Sequence, residues 1–389
     1  MAEKRKGKRK DKKGRVLRAG ERQRSNGAYE YRYQDEKNVT RSIYAKTLDE
    51  LREKEEQIQK DLSDGIDIEG SNITVSELVD LYMGLKRKLG PNSIRAYQTA
   101  VNRIKDDPFG SRKICSVKKL DAKRFYVKLH DSGLKQNTIG VYHAILRPAF
   151  EMAVDDDLIR KNPFKFTLAD VLPNDAVLRN ALTKEQQTAF LTFIRSHGNG
   201  NYYDDIVILL ECGLRVSELY GLTKKDIDFE KRCIHVKRQL CRTAERPYFI
   251  KDPKTSCGIR CIPMSETAYQ TFRHIFENRK QPKIEWIVDG YSGFLFLDKN
   301  GRPKTAMHLQ NYLRCMEAKY VKLHGKKPPH VSPHVLRHTF CTNMQQAGID
   351  VKSLQYLMGH SHASVTLDVY THTDYNAVER AFHKAAASM

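Results

Sequence analysis

The sequence lacks the features that mark membrane and secreted proteins. No apolar run reaches the roughly 20 residues that a membrane-spanning helix needs. The apolar stretch IVILLECGL at positions 206–214 is far too short. The N-terminus is basic, but no apolar segment follows it, which argues against a signal peptide. We therefore expect a cytoplasmic protein without a membrane partner.

Cysteine is present, but not in the spacing of a disulfide framework or a zinc ribbon. The eight cysteines are scattered and form no C-x-x-C pair. The closest two, Cys257 and Cys261, have a spacing that does not suit a zinc ribbon. This pattern indicates reduced thiols in a cytoplasmic protein.

Acidic residues are too few to balance the basic ones. The chain has 68 Lys and Arg against 47 Asp and Glu, a formal charge of +21, whereas its apolar fraction of 40% is ordinary. Such an excess favours a polyanionic partner, usually nucleic acid, although charge that only aids solubility is the alternative. The first 20 residues carry ten Lys and Arg against two acids, which is typical of an arm that contacts nucleic acid.

The pattern after this block predicts a small sheet followed by a helix. Tyrosines at 29, 31 and 33 alternate with charged residues, and residues 38–46 follow across a polar turn as a pairing strand. Thr47 and Glu50 then form a capping-box pattern. The apolar face of the helix consists of Leu48, Leu51, Ile58 and Leu62. Sequence leaves open whether the tyrosines pack in a core or lie on a face that meets DNA.

Helical periodicity begins at the Thr74–Glu77 capping box. In the second predicted helix of this region, Ile94, Tyr97, Val101 and Ile104 recur at helical spacing. We expect a bundle of about four helices over residues 72–164. Residues 165–179 lack clear periodicity and contain Pro173, which indicates a linker.

The remainder of the chain, residues 180–389, is predicted to be mixed α/β. It opens with a Thr183–Gln186 cap and is mainly helical. The exception is residues 232–264, where β-branched residues and chain breakers predict a small antiparallel sheet. The whole chain is thus expected to be multidomain and mainly α, with small β-sheets in its first and last domains.

This last segment contains the side-chain types that act on a phosphodiester. Arginine binds two oxygens and stays charged, imidazole moves protons near neutral pH, lysine can protonate a leaving alkoxide, and a nucleophile can hold the phosphoryl group covalently. His334 and Arg337 are three positions apart in SPHVLRHTF, so both can reach one ligand from the same helical face. The candidates are Arg215, Lys254, His334, Arg337, His360 and Tyr370.

In these residues the chain resembles the tyrosine recombinases, typified by the phage lambda integrase. The resemblance rests on GLRVSELYGLTKKDID and on the segment from HVLRHTF to LMGHSHASVTLDVYTH. The helical bundle resembles the core-binding domain of the family, and residues 1–65 resemble the arm-binding domain of integrases. The arrangement is most similar to integrases of conjugative transposons.

The resemblance implies a site-specific recombinase that integrates and excises a mobile element through a 3′-phosphotyrosine intermediate. Arg215 and Arg337 would clamp the scissile phosphate, and Lys254 would protonate the leaving 5′-hydroxyl. His334 would assist proton transfer and His360 would donate to a phosphate oxygen, while Tyr370 attacks. No metal or cofactor is implied. The implied partners are double-stranded DNA at recombination and arm sites, a homotetramer on that DNA, and an accessory excision factor that the sequence does not identify.

Several alternatives accompany this interpretation. Lys251 is the alternative to Lys254 for the catalytic lysine, and Lys254 is preferred because it better fits the turn before a strand. His338 is interpreted as a packing or hydrogen-bonding residue. A zinc site on the histidines that begin at His330 is disfavoured, because Pro333 interrupts a regular helix and no H-E-x-x-H motif occurs. The alternative functions are a type IB topoisomerase and a DNA-binding protein without enzymatic activity.

Overall fold

The computed structural model describes most of the chain. The described residues are 9–35, 38–68, 70–87, 89–175, 180–198, 200–243, 245–253, 256–279, 281–362 and 367. Lys254, Tyr370 and the C-terminal residues 376–389 lie outside them. The chain divides into two compact units, Met1–Val177 and Leu178–Met389.

The first unit begins with a three-stranded antiparallel sheet. The strands β1 (Glu21–Gln23), β2 (Tyr29–Gln34) and β3 (Thr40–Ala45) pair in that order. Helix α1 (Leu48–Ser63) follows, and the side chain of Thr47 caps it by accepting from the Glu50 amide at 3.2 Å. The capping residue and the strand alternation therefore form the local structures that the sequence predicts.

The structure decides which face of this sheet the tyrosines occupy. Tyr29 and Tyr31 are buried in a small core with Leu48 and Leu51 of α1. Glu30 lies between them in the sequence, and its carboxylate accepts from the Arg22 and Arg32 guanidiniums. Since successive side chains of a strand lie on opposite faces, the tyrosines form the core and the arginines lie on the other face.

After α1, the described part of the first unit contains four further α-helices. They are α2 (Val75–Leu85), α3 (Pro91–Asp106), α4 (Lys119–Asp131) and α5 (Gln136–Asp155). The Thr74–Glu77 capping box is present at the start of α2. Val101 and Ile104 are buried as their periodicity predicts, but Ile94 is 50% exposed. Periodicity identifies an apolar stripe along α3, but not whether a neighbour covers its first turn.

The chain after α5 stays with the helical core. Phe164, Phe166 and Leu172 are all buried in the cluster formed by the four helices. Phe164 packs against Phe150 of α5 with ring centroids 5.0 Å apart. Phe164 and Phe166 lie outside regular secondary structure. No hydrophobic periodicity in the sequence therefore predicts that they are buried.

The second unit is mainly helical with two small antiparallel ladders. Its helices are α6 (Lys184–His197), α7 (Tyr203–Cys212), α8 (Val216–Tyr220), α9 (Glu266–Asn278), α10 (Ala306–His324), α11 (Pro333–Gln346) and α12 (Val351–Met358). Its strands are β4 (Ile227–Asp228), β5 (Cys233–Val236), β6 (Gln239–Cys241), β7 (Phe249–Lys251) and β8 (Arg260–Pro263). The ladders are β4-β5-β8 and β6-β7. The predicted combination of many helices and small antiparallel sheets is confirmed.

Helix α7 lies at the centre of this unit. From Ile206 to Leu210 every residue is buried, and α11 packs beside it. The amide of Leu182 donates to Thr339 Oγ1 on α11 at 3.0 Å, which anchors the start of the unit to the same helix. Across the described residues, no helix is both long enough and apolar enough to cross a bilayer.

Candidate active site

The candidate site is built first from the turn between α7 and α8. Arg215 is the residue that precedes α8, and its amide donates to Glu218 Oε2 at 2.9 Å. Its guanidinium also reaches Glu218, with Nη1 2.7 Å from Oε1. The Arg215 side chain remains 33% exposed, whereas the Glu218 side chain is fully buried. A buried carboxylate therefore holds an arginine that solvent can still reach.

Gly213 ends α7 and shapes this turn. Its φ of 59° lies in the left-handed region, and a Cβ here would lie 2.2 Å from the Phe340 ring. Glycine is therefore required on both conformational and steric grounds. The carbonyl oxygen of Gly213 accepts from Arg337 Nη1 at 2.6 Å. The same tight turn thus places Arg215 and helps to hold Arg337.

Arg337 lies in α11 and is buried. Its guanidinium donates to the carbonyl oxygen of Met358, and Nη2 lies 3.2 Å from His360 Nε2. Burial and the neighbouring Arg215 lower the pKa of Arg337 from its ordinary value. The guanidinium remains the charged form near neutral pH, because arginine loses its proton only far above that range.

Glu218 is the common partner of three arginines. Arg260 Nη2 lies 2.9 Å from Glu218 Oε2, and Arg337 Nη1 lies 3.9 Å from the same oxygen. Burial alone would raise the pKa of Glu218, but Arg260, Arg337 and Arg215 together lower it. The carboxylate is therefore charged, and the cluster carries two positive charges in excess.

Sequence reasoning did not single out Glu218 or Arg260. Glu218 follows Arg215 by three residues, which is an ion-pair spacing on a helix and was a usable signal. Arg260 opens β8, and its Nε donates to the Leu357 carbonyl oxygen at 2.7 Å. The usable signal for Arg260 was a charged residue within a largely buried strand. Its partner, Glu218, lies 42 positions away in the sequence, so only the tertiary structure reveals the contact.

His360 follows α12 and joins the cluster through Arg337. Because a guanidinium only donates, His360 Nε2 accepts from it. Burial, followed by the charges of Arg337, Arg215 and Arg260, lowers the pKa of His360 to about 4. The imidazole is therefore neutral near pH 7 and carries its proton on Nδ1. That N–H can donate to an anion without bringing a further charge.

The remaining candidates differ in exposure and in whether the structure describes them. His334 is exposed at the first turn of α11, although it lies only three residues from buried Arg337. His338 is half-buried on the same helix. Lys251, the competitor of Lys254, is half-buried and paired with Gln239 at the end of β7. Lys254 and Tyr370 lie outside the described residues, so Arg215, Arg337 and His360 are the predicted residues that the described structure brings together.

Such a cluster is suited to an anion with several oxygens. Arg215 can offer N–H donors from its partly exposed guanidinium, Arg337 has two N–H hydrogens beyond the three given to Gly213, Met358 and His360, and the neutral His360 can add one more donor. The solvent-reachable part of Arg215 gives a ligand access to the excess positive charge. Fixed donors that carry a net charge stabilise negative charge as it develops on an oxygen.

Comparisons with known proteins give the family context. A family model described as the phage integrase family matches residues 180–377, and one described as the DNA binding domain of tn916 integrase matches residues 5–62. The transposase from transposon Tn1545 of Streptococcus pneumoniae is 40% identical over 385 residues, 95% of each chain. The transposase from transposon Tn916 of Enterococcus faecalis is 39% identical, again over 95% of each chain.

A solved structure is similar over most of the chain. It is a variant of the Tn1549 transposon integrase in complex with transposon right end DNA. The two chains are 41% identical and superpose with a TM-score of 0.75, covering 81% of this chain and 100% of that one.

Proposed function

Since the chain belongs to the phage integrase family and is a tyrosine recombinase, we propose that it integrates and excises a conjugative transposon by cutting and rejoining double-stranded DNA. The observation that carries this proposal is the cluster of Arg215, Arg260 and Arg337 around the single carboxylate of Glu218. Its excess positive charge matches the charge that develops on a phosphodiester during cleavage.

In the proposed reaction, Arg215 and Arg337 hold the non-bridging oxygens of the scissile phosphate. The Nδ1–H of His360 donates to one of the same oxygens. Glu218 orients the arginines and does not touch the DNA. This assignment uses the donors that face an anion and leaves the buried hydrogen bonds of Arg337 to Gly213 and Met358 in place.

The covalent step involves Tyr370 as the nucleophile. Its oxygen forms a bond to phosphorus as the bond from phosphorus to the 5′ oxygen breaks, which leaves a 3′-phosphotyrosine link. His334 assists the departure of the tyrosine proton, and Lys254 gives a proton to the leaving 5′-hydroxyl. The new link is itself a phosphodiester, so rejoining needs no metal ion and no nucleotide cofactor.

We assign DNA contacts to three domains. Residues 1–65 would bind arm sites, residues 72–164 and 180–389 would each contact DNA at the recombination site, and residues 165–179 would link them. The match to an integrase DNA-binding domain and the basic N-terminus support the first assignment. The DNA complex of the similar Tn1549 integrase supports the others.

Assembly on DNA is proposed to be a tetramer held by the C-terminal tail. The sequence after Tyr370 places Val378 and Phe382 four residues apart, a spacing that predicts one apolar helical face. The second unit, Leu178–Met389, which we call the catalytic unit, offers a groove of about 320 Å³ between α6 and the end of α10. Its lining is largely apolar and includes Phe190, Phe193, Leu313, Met316 and Tyr320. Such a groove supports docking of an apolar tail; we propose that a neighbouring protomer supplies it, and docking of the chain's own tail is the alternative.

Covalent complex formation tests the proposed function. Tyr370→Phe should retain DNA binding and form no protein–DNA adduct on denaturing gels, because only the attacking hydroxyl is lost. Tyr375→Phe, five residues on, is the matched control and should form the adduct normally. An adduct that survives Tyr370→Phe at the wild-type level would remove Tyr370 from the mechanism.

A strand-transfer assay on two duplexes separates the recombinase from its alternatives. Recombinant joints are the expected product. Relaxation of supercoiled DNA without joints would instead indicate a topoisomerase, and binding without cleavage would indicate a DNA-binding protein.

A further inference from the structure

A second group of chemically active side chains lies on the β4-β5-β8 sheet, on the face opposite the side chain of Arg260. Ile234 pairs with Ile262, and both side chains are buried in the core of the unit. On the alternate positions, His235 pairs directly with Cys261, and Cys233 lies two residues before His235. Opposite residues of an antiparallel pair share a face. The face turned away from the core therefore carries two thiols and an imidazole.

The ligand atoms of these three residues already lie close together. Cys233 Sγ, a ring nitrogen of His235 and Cys261 Sγ are all within 4.8 Å of one another. Cys233 Sγ and His235 Nε2 are 3.7 Å apart. In a tetrahedral zinc site, bonds of about 2.3 Å to sulfur and 2.0–2.1 Å to nitrogen place these atoms roughly 3.5 Å apart. The observed separation is close to the edge of such a tetrahedron.

We propose that Cys233, His235 and Cys261 form a binding site for a thiophilic divalent metal ion, with Zn²⁺ as the ion that best suits two thiolates and an imidazole. Soft sulfur ligands disfavour Mg²⁺ and Ca²⁺, which prefer oxygen. Binding displaces the two thiol protons, and the ion is held by two thiolates and the neutral imidazole. A water molecule completes the tetrahedron.

This face also carries the carboxylate of Asp228, which pairs with Cys233 across the β4-β5 ladder. Its Oδ1 accepts from the Lys231 amide at 2.9 Å, so this oxygen is already engaged in the turn between the two strands. Asp228 is therefore assigned a neighbouring role and not that of a ligand.

The site has a structural consequence for the catalytic unit. Cys261 directly follows Arg260, the residue that binds Glu218 from the first position of β8. A metal ion that joins Cys261 to Cys233 and His235 would tie β8 to β5 beside this arginine. Metal binding is thus expected to stabilise the strand that supports the arginine cluster, a role outside the proposed chemistry. Cys233 and Cys261 are distant in the sequence, and only strand pairing brings them together.

The test uses the untagged full-length protein purified under reducing conditions and stripped with a chelator. Titration with Zn²⁺, followed by elemental analysis after gel filtration, should give one tightly held ion per chain. Titration with Co²⁺ should give a thiolate-to-metal charge-transfer band. Cys261→Ser should lose both signals, whereas Cys257→Ser, an exposed cysteine four residues earlier, should keep them.

A measurement on the wild-type protein guards against a variant that simply misfolds. Alkylation of individual cysteines, read by mass spectrometry, should slow at Cys233 and Cys261 when Zn²⁺ is added and stay unchanged at Cys257. Equal metal binding by wild type and Cys261→Ser would overturn the proposal. So would unchanged alkylation, or a failure of the fully reduced wild-type protein to take up Zn²⁺.

Discussion

Two clusters of buried charge in the catalytic unit are built in opposite ways. In the first, Lys304 Nζ lies 3.0 Å from Asp205 Oδ2, and the Tyr220 hydroxyl donates to the same oxygen at 2.8 Å. One positive charge meets one negative charge, and both side chains are almost fully buried. In the second, the carboxylate of Glu218 meets three guanidiniums.

The difference separates a structural ion pair from a site for a ligand. In a balanced buried pair the two charges neutralise each other, so no net charge remains to attract a ligand. An unbalanced cluster of arginines costs folding free energy because like charges repel and lose solvation. That cost is offset when an anion binds, and Arg215 is exposed enough to admit one. The excess charge of the second cluster thus supports the proposal that it is the catalytic centre.

The largest expected effect comes from breaking the balanced pair. Lys304→Ala leaves Asp205 buried without its counter-charge, which should lower the free energy of unfolding by about 3–5 kcal/mol. Urea unfolding followed by the fluorescence of the single tryptophan, Trp286, reports on this unit. Arg273→Ala removes one partner of an exposed pair with Glu277 and should change stability little. Similar losses of unfolding free energy in the two variants would show that burial of the Lys304–Asp205 pair does not determine its contribution to stability.

The second-largest effect is expected on the rate of DNA cleavage when the unbalanced arginine cluster is altered. Arg337→Lys keeps the positive charge but replaces the planar guanidinium, which has several N–H donors in fixed directions, with a compact ammonium group. The cleavage rate should therefore fall on the order of 10²-fold or more. DNA affinity, measured by gel shift, should change far less. Single-turnover cleavage with saturating protein gives the rate, and Arg273→Lys serves as the control. Equal losses in affinity and rate would assign Arg337 to DNA positioning.

The smallest effect is a pH dependence of stability. The pKa of His360 is about 4 in the folded protein against an ordinary value of 6.5. Between these values the unfolded chain binds a proton at His360 and the folded chain does not, so stability falls as pH decreases from 6.5 towards 4. His360→Gln should flatten this part of the profile relative to wild type in urea titrations. An unchanged slope would show that His360 titrates normally in the fold.

The sequence predicted local structure better than it predicted partners. The capping residues Thr74 and Thr183 start their helices as expected, because a cap depends on residues three positions apart. Ile94 has the right helical spacing but stays exposed, because its burial depends on a neighbouring helix.

The same limit applies at the site. The spacing of His334 and Arg337 correctly predicted that both lie on one helix. It did not predict that His334 is exposed and Arg337 is buried. Arg260 was missed because its contacts with Glu218 and Leu357 join segments far apart in the sequence. Side-chain type and spacing can nominate catalytic groups, but the charge balance around them is a tertiary property.

The most direct measurement of the central claim varies the charge of the enzyme and of the substrate together. Cleavage would be compared for wild type and Arg215→Ala, on DNA with an ordinary phosphodiester and with a neutral methylphosphonate at the cleavage position. If the excess positive charge exists to balance the phosphate, Arg215→Ala should lose about 10²-fold or more on the phosphodiester and much less on the methylphosphonate. An equal loss on both substrates would contradict the account, because Arg215 would then act without regard to the charge of the phosphate.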